Sequence, residues 1–141
     1  LIERHKPAAI VSLGLGPTPA LNVERVAVNI KADDQPIVAG GPDAYFSTLP
    51  TRSIVEAITA GGVPARLSYH AGTFLCNHIM YSVLHYLTTT GQEIPAGFIH
   101  LPPTPELVAA DGKITASMGL DKIREGTVIA LENLVDLLNN T

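Results

Sequence analysis

A single cysteine, Cys76, stands in the 141 residues, so no disulfide can close within the chain. That suits a reducing compartment, most simply the cytoplasm. Charge is sparse: Asp, Glu, Lys and Arg together make up 16% and the net charge is −4. Lys and Arg form no cluster, which argues against nucleic acid as a partner. No apolar run reaches the roughly 18 residues of a membrane-spanning helix, so no membrane partner is expected. Leu1-Ile2-Glu3-Arg4-His5-Lys6 is charged and lacks the apolar core of a secretory signal. A start on Leu rather than Met hints at further sequence upstream. Internal repeats and low-complexity stretches are lacking too.

What is present is apolar: 46% of the residues, enough for a real core in one domain spanning residues 1–141. Ala8 to Leu13, bounded by Pro7 and Gly14, reads as a buried strand, and Leu1 to Lys6 as the end of a helix. Glu24 to Ile30 alternates polar and apolar, as a half-buried strand does. Lys31 to Pro42 is a polar loop with a short extended piece at Pro36-Ile37-Val38. A helix opens at Leu49-Pro50, buries Ile54, Val55 and Ile58, and stops at Gly61-Gly62. Pro64 to Tyr69 is a further strand. Phe74 to Thr90 is a helix whose apolar stripe is Leu75, Ile79, Met80, Val83, Leu84 and Leu87. Gly97 to Leu101 is a short strand ended by Pro102-Pro103. Ser117 to Leu138 is a helix with Ile123, Val128, Leu131, Leu134, Val135 and Leu138 inward. Strands alternating with helices imply an α/β protein with a mostly parallel sheet.

The chemistry centres on Cys76. It lies where a strand hands over to a helix, in the helix's first turn, after Gly72. Unpaired N–H groups and the positive end of the helix dipole favour a thiolate there and can hold an oxyanion. A small apolar core residue is the other reading. His100 sits near the carboxyl end of its strand, the side on which parallel sheets bind ligands. It can serve Cys76 as base and acid, or be a strand-end histidine with an ordinary hydrogen bond. Glu24 can orient the imidazole, or face solvent at a strand end. Gly14-Leu15-Gly16 is followed by Pro17 and no helix, so it is not a dinucleotide loop. His78 and His85 are two turns apart, about 10 Å, too far for one metal, and read as surface histidines. No Gly-x-Ser-x-Gly elbow occurs.

The segment Gly72-Thr73-Phe74-Leu75-Cys76-Asn77-His78-Ile79-Met80-Tyr81 resembles the nucleophile motif of the pyroglutamyl peptidases. Gly97-Phe98-Ile99-His100-Leu101-Pro102 resembles their histidine motif, 24 positions on. Val23 to Asn29 resembles the segment carrying their glutamate, and Gly41 to Pro50 a further stretch. Four matches in order span most of residues 8 to 138. The resemblance implies a three-layer α/β/α sandwich around a mostly parallel sheet. It implies a cytosolic cysteine peptidase that removes an N-terminal pyroglutamyl residue, needs no cofactor or metal, and forms homo-oligomers, often tetramers. By position it makes Cys76 the nucleophile, His100 the base and acid, and Glu24 the orienting carboxylate. Phe74 and Leu75 then help line an apolar pocket for the lactam ring.

The chain departs from that family in three places. Its members carry a first strand, a loop and a helix before the equivalent of Leu1, so the sheet here is expected to miss its first strand and expose apolar edge. The loop after Asn29 is shorter and lacks an arginine. Leu15 stands where many members have glutamine. A non-catalytic or fragmentary relative with an incomplete substrate pocket, or a hydrolase of other acyl specificity, are the alternatives these departures raise.

Overall fold

The structure, a computed structural model, describes residues 1–140. Along the chain come α1 (Ile2–His5), β1 (Ile10–Leu15), β2 (Leu21–Glu24), β3 (Val26–Val28), β4 (Ala44–Phe46) and α2 (Thr51–Ala60). Then follow β5 (Ala65–Ser68), α3 (Leu75–Thr89), β6 (Ala96–Leu101), α4 (Pro105–Ala110) and α5 (Leu120–Asn139). A four-stranded, mostly parallel sheet has the order β1-β6-β2-β5. A separate antiparallel pair joins β3 to β4, with Val26 opposite Phe46 and Val28 opposite Ala44. The fold is therefore α/β, as the alternation of elements implies.

Three strands differ from the sequence reading. β1, read as buried, is only half-buried and exposes Leu13 and Leu15, because as the end strand of the four-stranded sheet it has a neighbour on one side only. The expected strand from Glu24 to Ile30 is divided: β2 ends at Glu24 and β3 starts at Val26. All four residues of β2 are buried, including Asn22 and Glu24. Its pattern, Leu-Asn-Val-Glu, looks half-polar, and only burial on both faces makes it a central strand. Pro36-Ile37-Val38 forms no strand, and β4 emerges instead, where three residues find a partner in β3.

The described residues group into two compact units. The first comprises Leu1–Ser12, Glu24–Leu49 and Ser68–Phe98. Its core gathers Met80, Tyr81, Leu84 and Leu87 of α3 with Ala27, Ala71, Ala96 and Phe98. Leu75 and Ile79, expected on that stripe, are exposed. Asn77 and Tyr81 are buried in their place. Tyr81 is wholly buried and its hydroxyl donates to Pro42 O at 2.7 Å. Tyr81→Phe strands that carbonyl, and we expect a loss of about 1 kcal/mol, read as a lower denaturant midpoint at unchanged slope.

The second unit comprises Leu13–Val23, Pro50–Leu67 and Ile99–Thr141. Here α2 packs on α5, with Ile54 and Ile58 buried and Ser53 Oγ bonded to Asn133 Oδ1 at 3.1 Å. Of the expected inward face of α5, Ile123 and Leu134 are buried, and Gly126 and Ala130 complete it. Val128, Leu131 and Val135 are exposed. A Cβ on Gly126 would lie 2.9 Å from Val63 Cγ1, so the helix approaches through its smallest residues. Hydropathy alone chose the larger side chains; close packing chose the smaller ones.

Candidate active site

Cys76 is the second residue of α3, whose N-cap is Phe74. β5 ends at Ser68, and the connection passes through Gly72 at φ 81°, a left-handed turn that an L-side chain would strain. The first N–H bonded within the helix is that of His78, to Phe74 O at 3.0 Å. The N–H groups of Leu75, Cys76 and Asn77 therefore have no helical carbonyl to meet, as in any first turn.

The thiol is half-buried. Burial pushes its pKa up, its own backbone N–H pulls the other way, and the negative charge of Glu24 adds to the rise. The net shift is upward. The helix terminus was expected to favour a thiolate; desolvation and a nearby carboxylate outweigh it. A thiol held above its ordinary range is mainly protonated at neutral pH, so it needs a base to become a nucleophile.

Glu24 closes β2 at 1% exposure, the opposite of a solvent-facing strand-end carboxylate. It belongs to the same compact unit as Cys76. The next residue, Arg25, is held by Nη1 donating to Ser47 O at 2.9 Å, with its guanidinium 4.9 Å over the Phe46 ring. His100 is the fifth residue of β6, 7% exposed, and lies in the second unit. Gly16 faces it so closely that a Cβ there would fall 2.7 Å from His100 Cβ. The Gly16 N–H also donates to Leu101 O at 2.8 Å. Phe74 and Leu75 are 75% and 73% exposed, two large apolar groups adjoining the thiol in the chain.

Sequence reasoning missed three contributors. Gly16 was set aside with a failed dinucleotide loop, yet its missing side chain is what His100 packs against. Asn77 carries no motif of its own; the only signal was an amide in an otherwise apolar turn. His85 was expected at the surface, but it is half-buried, shares a hydrogen bond with Tyr45 (2.9 Å) and stacks on Tyr81. His78 is exposed, as expected. Among the described residues no group of three His, Cys, Asp or Glu could hold a metal, and no helix is long and apolar enough to cross a membrane. A cavity of about 770 Å³ is lined by groups such as Ile2, Ile10, Val83 and Tyr86, with no cysteine, serine or threonine in its wall.

A thiol in the first turn of a helix, entered from a strand through a glycine turn on a mostly parallel sheet, is the layout of a thiol hydrolase of α/β class. Comparison with known proteins narrows the class. The family profile of pyroglutamyl peptidase matches residues 1–136. The pyrrolidone-carboxylate peptidase of Aliivibrio fischeri is 41% identical over 147 residues, covering 96% of this chain and 68% of its own. Pyrrolidone-carboxylate peptidase 2 of Photorhabdus laumondii is 42% identical over 155 residues, covering 99% and 71%. Among solved structures, the pyrrolidone carboxyl peptidase from Thermococcus litoralis matches with a TM-score of 0.89 at 37% identity, covering 99% of this chain and 70% of that one. The pyroglutamyl peptidase I from Bacillus amyloliquefaciens matches at 0.86 and 34%, covering 94% and 68%. The chain belongs to the pyroglutamyl peptidase family.

Proposed function

We propose that this chain hydrolyses the amide bond that follows an N-terminal pyroglutamyl residue, with Cys76 as nucleophile. The observation that carries the reading is the thiol in the first turn of α3, held protonated by burial and by Glu24. Such a group needs a base, and His100 is the candidate. Its imidazole takes the thiol proton as sulfur attacks the pyroglutamyl carbonyl carbon. The first-turn N–H groups receive the developing oxyanion. The C–N bond then breaks, and the proton passes from His100 to the leaving amine. Water, deprotonated by the same imidazole, attacks the thioester, releases pyroglutamate and restores the thiol. Glu24 is the candidate for the group that orients the imidazole.

Phe74 and Leu75 supply an apolar wall for the neutral lactam ring. The chemistry uses no metal or organic cofactor. The lone cysteine supports a cytoplasmic setting. The exposed Val128, Leu131 and Val135 of α5 support association into homo-oligomers.

The test compares a pyroglutamyl anilide with a prolyl anilide, which has the same ring size but no lactam carbonyl. We expect anilide release from the first only, and its loss after iodoacetamide treatment. A folded chain whose Cys76 is alkylated readily but which releases neither product would overturn the reading.

A further inference from the structure

Asn77 follows the nucleophile directly and is 0% exposed. Its side chain makes three hydrogen bonds, all to backbone. Oδ1 accepts from Val28 N–H at 2.9 Å, and Nδ2 donates to Val28 O at 2.9 Å and to Ile30 O at 3.1 Å. One edge of β3 pairs with β4. Asn77 occupies Val28's N–H and C=O on the other, where a further strand would otherwise bond. An apolar side chain of that size would fill the same space but leave Val28 N–H, Val28 C=O and Ile30 C=O without these partners. What the amide adds is direction: three bonds at set angles fix the first turn of α3 on β3.

That attachment reaches both chemical groups of this unit. The α-carbons of Asn77 and Cys76 are one peptide apart, about 3.8 Å. Val28 lies four residues beyond Glu24, along extended backbone broken only at Arg25. Arg25 is pinned as well, its N–H donating to Ser68 O at 2.6 Å, the last residue before the loop that leads to Cys76. Glu24 and Cys76 are thus joined by short, hydrogen-bonded backbone on both sides.

We propose that Asn77 is a positioning residue, whose carboxamide sets the place of the Cys76 sulfur relative to the Glu24 carboxylate. The proposal rests on the nucleophile reading above and extends it to the residue that holds the nucleophile in register. It does not touch substrate.

The test is Asn77→Leu, similar in size and without polar atoms. Two readouts are taken on the folded variant. The kcat for a pyroglutamyl anilide is expected to fall at least about tenfold with KM changed less than twofold, as for a nucleophile moved by a fraction of an ångström. The second readout is the pH midpoint of Cys76 alkylation by iodoacetamide, with and without Glu24→Gln. In the parent chain, removing the Glu24 charge lowers that midpoint. In the Asn77→Leu background the same change is expected to shift it less than half as far. A merely structural amide leaves that shift intact. A kcat within threefold of the parent, or an undiminished shift, overturns the proposal. If the parent chain proves inactive, the functional reading fails, and the alkylation shift alone decides the role of Asn77. Asn77→Ser replaces the leucine variant should that not fold; failure of both to fold overturns the proposal in favour of a purely structural role.

Discussion

Cys76→Ser is expected to lower turnover of a pyroglutamyl amide by about 10³-fold or more, with the fold unchanged. Serine keeps the shape of cysteine but not its acidity or its nucleophilicity, and no second cysteine is present to substitute. The measurement is initial rate at saturating substrate, beside circular dichroism to show that both chains are folded. A serine variant with more than a tenth of the parent rate would remove Cys76 from the mechanism. The same thiol makes a pH prediction. Burial and Glu24 both disfavour the thiolate, so its pKa is raised. Alkylation by iodoacetamide proceeds through the thiolate. Its rate therefore climbs with pH and reaches half-maximum above the ordinary thiol range. Glu24→Gln removes a negative charge, leaves the thiolate less disfavoured, and moves that midpoint down. A midpoint below the ordinary range in the parent chain would mean that the helix terminus wins after all.

Gly16→Ala is expected to cost about 100-fold in kcat/KM, far more than its distance from Cys76 in the sequence suggests. The added methyl would lie 2.7 Å from His100 Cβ and 3.3 Å from its Cγ. Cβ is the root of the side chain and cannot swing aside as a chain end can, so either β6 shifts or the imidazole tilts. A general base must stand within hydrogen-bond reach of the proton it takes. The loss should fall on kcat more than on KM, because the pocket wall proposed at Phe74 and Leu75 is untouched. The alkylation midpoint of Cys76 checks the origin of the loss, since the causes that set it lie at Glu24 and Cys76 rather than at Gly16. A Gly16→Ala chain with full activity would show that His100 has room to relax, or that it is not the base.

The contrast between these residues separates two kinds of information. Cys76 in the first turn of a helix and His100 near the end of a strand were both legible from the chain alone. So was the α/β class, because strand and helix periods, glycine stops and proline boundaries are local patterns of covalent neighbours. The resemblance to pyroglutamyl peptidases was legible for a related reason: its motifs are short and contiguous, as in Gly72 to Tyr81.

The tertiary structure decided what depends on residues far apart in sequence. Leu-Asn-Val-Glu looks like an ordinary half-polar strand, and only its place within the sheet buries Glu24. The inward face of α5 takes in Ala130 and Gly126, and at Gly126 Leu21 and Val63 leave no space for a side chain. Asn77 gained its three partners from Val28 and Ile30, nearly fifty residues earlier. The sign of the Cys76 shift followed from the same source. A helix dipole can be read from one segment, but desolvation and the field of a carboxylate are set by whatever the fold brings alongside. The sequence determined which groups are able to do the chemistry; tertiary packing decided their burial, their charge state and the residues that hold them in place.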